Sequence, residues 1–173
     1  MVKIALENGY LIKTLTNVNH SEIKQLYDLC SDYHMLASGR SATEEDVDDI
    51  FKYSEKKTLE DSLTLGVYDN SEGLIGIVDI FKDYPETGTW MIGLLLLSPS
   101  ERNKKLGRDV HEEIKRYALS EGARKLRIGV LEDNINGRRF WDSLEYQYVK
   151  TTTIDIENKN HNVDILSLLI TEQ

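Results

Sequence analysis

A basic, glycine-containing segment follows an apolar run at residues 94–97 and precedes a helical pattern. Four cations surround Gly107 in this segment: Arg102, Lys104, Lys105 and Arg108. The first N–H groups of a helix have no partner within the helix, and the helix dipole attracts negative charge to that end. A glycine there lets backbone and ligand approach closely. The segment therefore predicts a site for a phosphate or pyrophosphate, with a solvated basic turn as the alternative.

The segment does not have the pattern of the common nucleotide-binding loops. A Walker loop ends in Gly-Lys-Ser/Thr, whereas Gly107 is followed here by Arg108 and Asp109. A dinucleotide-binding fingerprint needs three spaced glycines in an early βαβ unit. The segment has a single glycine and lies late in the chain, so both readings are excluded.

The chain as a whole is acidic, which limits its partners. It has 173 residues and a formal net charge of −9, with 40% hydrophobic and 29% charged residues. Nucleic acids and anionic membranes need a basic face for their phosphates. No apolar run reaches the roughly 20 residues of a membrane-spanning helix. We therefore expect neither nucleic acid nor membrane as a partner, and we predict one domain over residues 1–173.

The single cysteine, Cys30, excludes an internal disulfide framework and fits a reducing compartment. Near the N-terminus, Glu7 and Asn8 follow Lys3, so the segment does not resemble a signal peptide. We therefore expect a cytoplasmic protein, and we expect no resident metal. A homodimer is compatible with the sequence, which does not decide the oligomeric state.

The elements that must position the basic segment follow from hydrophobic periodicity. Alternation and short apolar runs bounded by turns predict strands at residues 10–16, 62–68, 74–82, 89–97, 125–131, 146–157 and 162–170. Helical spacing predicts one helix that begins near Asn19 or Ser21, a second after Thr43, a third along residues 106–118 and a short fourth at 135–143. Residues 32–41 are polar and contain a glycine, which predicts a loop. The result is a mixed α/β arrangement of the α+β class, in which helices flank a mostly antiparallel sheet in the order β-α-α-β-β-β-α-β-α-β-β.

Local signals refine these elements. Thr43 and Asp46 have the spacing of a capping box at a helix start. Gly93 interrupts the otherwise apolar strand 89–97, which predicts a bulge or a close backbone approach. Gly122 is placed to end the helix that follows the basic segment.

Two motifs resemble those of the GCN5-related N-acetyltransferases. The stretch LSPSERNKKLG at residues 97–107 is similar to the acyl-CoA-binding signature of that family, in which Arg/Gln-x-x-Gly-x-Gly/Ala opens a helix. The stretch NINGRRFWDSLEY at residues 134–146 is similar to the family's Asn-x-x-Ala-x-x-x-Tyr-x-x-x-Gly-Phe. The resemblance is good over residues 62–149 and departs at two positions, because Lys105 replaces a glycine and Trp141 replaces a tyrosine.

The resemblance implies acetyl-CoA as the cosubstrate. The pyrophosphate would lie on the loop formed by Arg102, Asn103, Lys104, Lys105, Leu106, Gly107 and Arg108. The pantetheine arm would pair like an added strand with the backbones of Leu95, Leu96 and Leu97. Asn134 would hydrogen-bond the arm, although an ordinary helix cap is the alternative. Trp141 would wall the slot but cannot protonate the departing thiolate, because an indole N–H does not give up its proton at neutral pH.

On the acceptor side, the resemblance implies a base that removes a proton from the amine. Family bases are often acids on the strand before the loop, and residues 91–97 contain none. The candidate catalytic groups are therefore Asp79, Tyr84 and His34, the last as an imidazole that titrates near neutrality. Tyr33, Tyr84 and Trp90 are the candidates that would line the acceptor pocket. The alternative for His34 is an ordinary loop residue, and for Trp90 core packing.

These residues lead to three hypotheses. The first is an acetyl-CoA-dependent N-acetyltransferase that acts on a primary amine of a small molecule or peptide. The second is a non-catalytic acetyl-CoA-binding or sensor domain of the same fold, motivated by Trp141 and the strand without an acid. The third is a phosphate-binding scaffold unrelated to CoA.

Overall fold

The structure is a computed structural model that describes residues 1–56 and 61–171. Its strands are β1 Lys3–Ala5, β2 Leu11–Thr14, β3 Ser62–Tyr68, β4 Leu74–Phe81, β5 Thr89–Leu97, β6 Lys125–Leu131, β7 Gln147–Ile156 and β8 Lys159–Leu169. Its α-helices are α1 His20–Leu29, α2 Ser31–Ser38, α3 Glu44–Lys56, α4 Leu106–Ser120 and α5 Ile135–Ser143. The short 3₁₀ turns Asn17–Asn19 and Pro99–Glu101 precede α1 and α4.

The strands in the described ranges form one mixed sheet in the order β1-β2-β3-β4-β5-β6-β8-β7. Only β5 and β6 pair in parallel among them, because α4 carries the chain back across the sheet between these two strands. The predicted α+β class is confirmed. Among the described residues, no helix has both the length and the apolar character that crossing a bilayer requires.

Helices cover both faces of the sheet. On one face, α4 and α5 pack through residues such as Val110, Ile114 and Leu144. On the other face, α1 and α3 pack through residues such as Ile23 and Val47. The first turn of α3 has the predicted capping box, in which the Thr43 N–H donates to Asp46 Oδ2 at 2.7 Å and the Asp46 N–H donates to Thr43 Oγ1 at 3.3 Å.

Two elements were missed by the sequence prediction. Residues 31–38, predicted mostly as loop, form α2, because the Cys30 carbonyl accepts from the N–H groups of Tyr33 and His34 and restarts a helix directly after α1. Gly39, with φ of 70°, then ends α2. The second missed element is β1, a three-residue strand that pairs with β2.

The bulge predicted at Gly93 is present, and it changes the face of the sheet on which the following side chains of β5 lie. Asp79 pairs with Leu94 and Ile80 pairs with Ile92, so Gly93 has no partner on β4. A Cβ at Gly93 would lie 2.8 Å from the Phe81 ring, which explains the glycine. Because one extra residue inverts the alternation of side chains, Ile92 faces α4 whereas Leu94 faces α1.

The sheet opens beside this bulge. β5 pairs with β6 only along Thr89–Ile92, which lie opposite Lys125–Ile128. Residues 129–131 of β6 continue to pair with β8 alone. The gap between residues 93–97 of β5 and residues 129–131 of β6 is named the slot below.

Candidate functional site

The edge of β5 that faces the slot exposes alternate backbone groups. The Ser98 N–H donates to the Ile75 carbonyl at 2.8 Å and so points toward β4. Because backbone groups alternate along a strand, Leu96 also faces β4, whereas Leu95 and Leu97 face the slot. The backbone contact expected at Leu96 is therefore not available to a ligand in the slot, and Leu95 is the central candidate.

The loop after β5 has a left-handed backbone at two positions that are not glycines. Asn103 and Lys105 have φ values of 60° and 67°, in the left-handed region. Lys105 is the N-cap of α4 and makes no side-chain capping hydrogen bond. The N–H groups in the first turn of α4 consequently have no acceptor from the cap residue, which leaves them available to an anion at the place where the sequence predicts one.

The four cations of the loop divide into two pairs. Arg102 Nε donates to the Leu97 carbonyl at 3.0 Å, and its terminal nitrogens donate to the Asp32 carboxylate. Arg108 reaches the Ser143 carbonyl on α5 at 3.3 Å. The other pair, Lys104 and Lys105, is exposed and has no side-chain partner within the described residues. These two lysines are therefore the side chains available to a phosphate.

The remaining motif residues hold α4 and α5 together. A Cβ at Gly107 would lie 3.1 Å from the Phe140 ring, so this glycine lets the first turn of α4 approach α5. Asn134 Oδ1 accepts from the Gly137 N–H at 3.0 Å and caps α5, as the alternative interpretation of this residue predicted. A Cβ at Gly137 would come within 2.5 Å of Asn134 Nδ2, which explains a glycine where the family motif has alanine.

Trp141 lies in an aromatic cluster under α4, named the α4-side cluster. Its ring centroid is 4.9 Å from that of Phe140, 5.2 Å from Tyr146 and 6.0 Å from His111. His111 Nε2 and the Tyr146 hydroxyl are 2.8 Å apart. Because Trp141 is buried, it does not offer the open wall of the slot that the resemblance implied.

A second group, named the α1-side cluster, unites Tyr27, Tyr33, His34 and Asp79. The His34 ring lies 4.7 Å from Tyr27 and 5.4 Å from Tyr33. Burial raises the pKa of Tyr27, and the charge of Asp79 raises it further, which places that carboxylate nearby. Asp79 is buried and accepts from Thr64 Oγ1 at 3.0 Å. The structure thus brings three of the predicted acceptor-side residues together and adds Tyr27.

His34 is a buried group without a partner for one nitrogen. It lies in α2, not in a loop, and is 8% exposed. No hydrogen bond to Nε2 is present within the described residues. Burial lowers the pKa of His34, so the imidazole is neutral at pH 7 and can accept a proton.

Tyr84 and Trp90 are not brought to the α1-side cluster. Trp90 precedes the bulge and therefore faces α4, where it is buried against Tyr117 at 5.8 Å and Lys82 at 5.0 Å. Its assignment to an acceptor pocket is corrected to core packing. Tyr84 is exposed on the turn between β4 and β5, with its ring 6.4 Å from Phe81. Its position gives no support to a catalytic role.

Lys105 provides a test of the loop conformation. A left-handed backbone costs a residue with a Cβ roughly 1–2 kcal/mol, and glycine avoids this cost but loses about 0.5–1 kcal/mol of chain entropy. We expect Lys105→Gly to leave the free energy of unfolding nearly unchanged and Lys105→Val to lower it by more than about 1 kcal/mol. Urea unfolding measures both. Lys104→Val is the matched control, and equal stability of the two Lys105 variants would contradict the assigned conformation.

Solved structures of acetyltransferases share this fold, a mixed sheet that opens beside the N-terminus of a helix. An acetyltransferase from Thermus thermophilus superposes with a TM-score of 0.78 at 20% identity, covering 98% of this chain and 100% of that one. Spermidine N-acetyltransferase from Vibrio cholerae, solved with CoA and spermine, superposes with a TM-score of 0.72 at 12% identity, covering 92% of this chain and 95% of that one. Ribosomal-protein-S5-alanine acetyltransferase from Vibrio fischeri superposes with a TM-score of 0.73 at 15% identity, covering 98% of this chain and 97% of that one.

The sequence itself carries the family signature. The Acetyltransferase (GNAT) family model matches residues 23–146, so the chain belongs to the GNAT acetyltransferase family. No curated protein sequence matches the chain. The matched range contains the loop, the slot and both clusters.

Proposed function

We propose that the protein is an acetyl-CoA-dependent N-acetyltransferase that acts on a primary amine of a small molecule or peptide. The observation that carries this proposal is the open edge of β5 beside the uncapped N-terminus of α4. The slot fits an extended, amide-bearing arm, and the helix end fits the pyrophosphate attached to such an arm. When bound, acetyl-CoA would supply an activated acetyl group as a thioester.

The residues that would hold the cosubstrate follow from the free groups of the site. The first-turn N–H groups of α4, with Lys104 and Lys105, would bind the pyrophosphate. Leu95 would pair with the pantetheine arm through its N–H and carbonyl. The bulge at Gly93 has no partner on β4, so it can offer a backbone N–H to the thioester carbonyl oxygen.

Asp79 is the residue best placed to take the proton from the amine. It lies opposite Leu94, next to the bulge, in the pairing of β4 with β5. Direct transfer needs a neutral amine, and a carboxylate can remove its proton directly or through water. The neutral imidazole of His34, in the same α1-side cluster, can pass a proton onward.

The acceptor is proposed to be cationic in its free form. The net charge of −9 favours the approach of cations to the protein. The related folds include one named for spermidine and one named for the alanine of a ribosomal protein. We propose a primary amine of either kind, in a cytoplasmic protein.

The non-catalytic alternative keeps one specific observation in its favour. Trp141 is buried where the family motif has a tyrosine, so no hydroxyl at this position can protonate a departing thiolate. Under this alternative, the chain would bind acetyl-CoA without turnover. In the enzyme, another group or water in the slot would supply that proton.

Turnover and its dependence on Asp79 test the proposal. We expect thiol release from acetyl-CoA with at least one member of a panel of polyamines and peptides, well above hydrolysis without amine. Asp79→Asn should lower kcat about a hundredfold, the usual size of a general-base contribution, without changing CoA affinity in calorimetry. Glu72→Gln, an exposed acid on the turn before β4, is the control.

The outcomes separate the candidate functions. CoA binding without turnover across the panel would favour the non-catalytic domain. Absence of CoA binding at near-millimolar ligand would reject both functions.

A further inference from the structure

The Arg102 side chain joins segments that are far apart in the chain. Its Nε donates to the Leu97 carbonyl at 3.0 Å, and its terminal nitrogens donate to Asp32 at 2.5 and 3.3 Å. The Cys30 thiol also lies 3.4 Å from the Leu97 oxygen. Leu97 ends β5, whereas Asp32 lies in the first turn of α2. One guanidinium therefore ties the strand beside the slot to the helix that carries Tyr33 and His34.

The Leu97 carbonyl faces the slot, so its occupation by Arg102 matters. A free carbonyl at this edge would be able to accept from an extended ligand, as Leu95 would. Arg102 occupies the Leu97 carbonyl only while its guanidinium is turned inward. The hydrogen bonds to Asp32 hold it there, and they are also the leading cause that lowers the pKa of this carboxyl.

We infer that Asp32 is a positioning residue that, through Arg102, fixes α2 and the acceptor side of the site against the end of β5. The inference rests on the proposed N-acetyltransferase function. Asp32 touches neither thioester nor amine in this role. It sets the distance between the α1-side cluster and the slot, and that distance must be maintained for the amine to reach the thioester carbon.

The ion pair of Arg102 with Asp32 contributes little to the stability of the fold. The side chains of Arg102 and Asp32 are 32% and 61% exposed. Ion pairs at such exposure contribute about 0–1 kcal/mol, because solvent screens them. Loss of the pair should therefore leave the fold intact and appear in the reaction.

Kinetics of Asp32 variants test the inference. We expect Asp32→Asn to lower kcat roughly tenfold, as a small misplacement of reacting groups does, and to leave the CoA dissociation constant within about threefold. Asp32→Glu should restore most of kcat. Asp32→Asn combined with Arg102→Gln should be no slower than Arg102→Gln alone, because Asp32 acts only through Arg102. Asp28→Asn, an exposed acid of α1 paired with Lys24, is the matched control.

Hydrogen exchange gives a readout that does not need turnover. CoA should slow exchange of the α2 amides as well as the loop amides in the wild-type protein, and in Asp32→Asn only the loop amides. If CoA binds and α2 responds equally in both proteins, or if Asp32→Asn keeps full kcat, the positioning role is overturned while the proposed function stands. If the wild-type protein does not bind CoA, both fail.

Discussion

Leu95→Pro is expected to weaken CoA binding tenfold or more while the protein stays folded. The N–H of Leu95 faces the slot, because the Ser98 N–H bonds Ile75 on β4 and the groups alternate between them. Proline lacks this N–H and places a ring at the edge where the pantetheine arm would pair. A buried acceptor that loses its donor costs about 1–3 kcal/mol, which corresponds to the expected loss. Calorimetry with CoA measures the effect.

Leu96→Pro is the matched control with the opposite outcome. Leu96 pairs with Ile77 and its N–H faces β4, so proline there breaks the central sheet. We expect this variant to lose at least about 1–3 kcal/mol of the free energy of unfolding, because the Ile77 carbonyl loses its donor, with CoA binding lost only because the protein unfolds. Urea unfolding of both variants measures the difference. Normal CoA affinity in a folded Leu95→Pro protein would show that the arm does not pair with β5.

The sheet could be predicted because its strands are short alternating or apolar runs bounded by turn residues. The strands Ser62–Tyr68, Thr89–Leu97 and Lys125–Leu131 and the helix Ile135–Ser143 have the predicted bounds. The helix Ser31–Ser38 was missed because its buried residues are few and its restart depends on the Cys30 carbonyl. A hydrogen bond of that kind leaves no periodic signal in the sequence.

The candidate site was predicted where it depends on local motifs and missed where it depends on contacts. The loop of residues 102–108 follows the family motif except at Lys105, so its place at the start of α4 could be predicted. The bulge at Gly93 was also predicted, but its inversion of β5 was not, so Trp90 was assigned to the wrong face. The pair of Arg102 with Asp32 spans 70 positions and needs the tertiary fold to appear.

The α4-side cluster contains a buried histidine that the proposed chemistry does not use. His111 is 1% exposed, and its Nδ1 has no hydrogen-bond partner within the described residues. The pKa of His111 is lowered from 6.5 to about 4, chiefly by burial; Glu112 opposes the shift, whereas Lys115 and Arg108 contribute to it. Its one hydrogen-bonded neighbour is the Tyr146 hydroxyl, whose pKa burial raises, so the hydroxyl stays protonated and cannot balance an imidazolium.

His111 should make the protein less stable in acid. Well above pH 6.5 the histidine is neutral in the folded and in the unfolded protein, so it does not change the free energy of unfolding. As the pH falls below 6.5, the unfolded chain binds a proton at His111, whereas the folded protein binds it only near pH 4. The free energy of unfolding therefore falls. We expect His111 to contribute a loss of about 2 kcal/mol at pH 5 and about 3 kcal/mol near pH 4. Urea unfolding across this range measures the loss.

His111→Gln isolates the contribution of His111 to the pH dependence of stability from that of the other titrating groups. Glutamine can still bond the Tyr146 hydroxyl but does not titrate, so the stability of the variant should fall less steeply than that of the wild-type protein below pH 6.5. The buried His34 titrates in both proteins, and its contribution cancels in the difference. Tyr146→Phe is the converse control: it loses the hydroxyl bond of His111 but should keep the steep decline, because burial is the main cause of the lowered pKa. Parallel stability curves for His111→Gln and the wild-type protein would contradict a buried neutral imidazole, and would mean that water or a rearranged Glu112 reaches Nδ1.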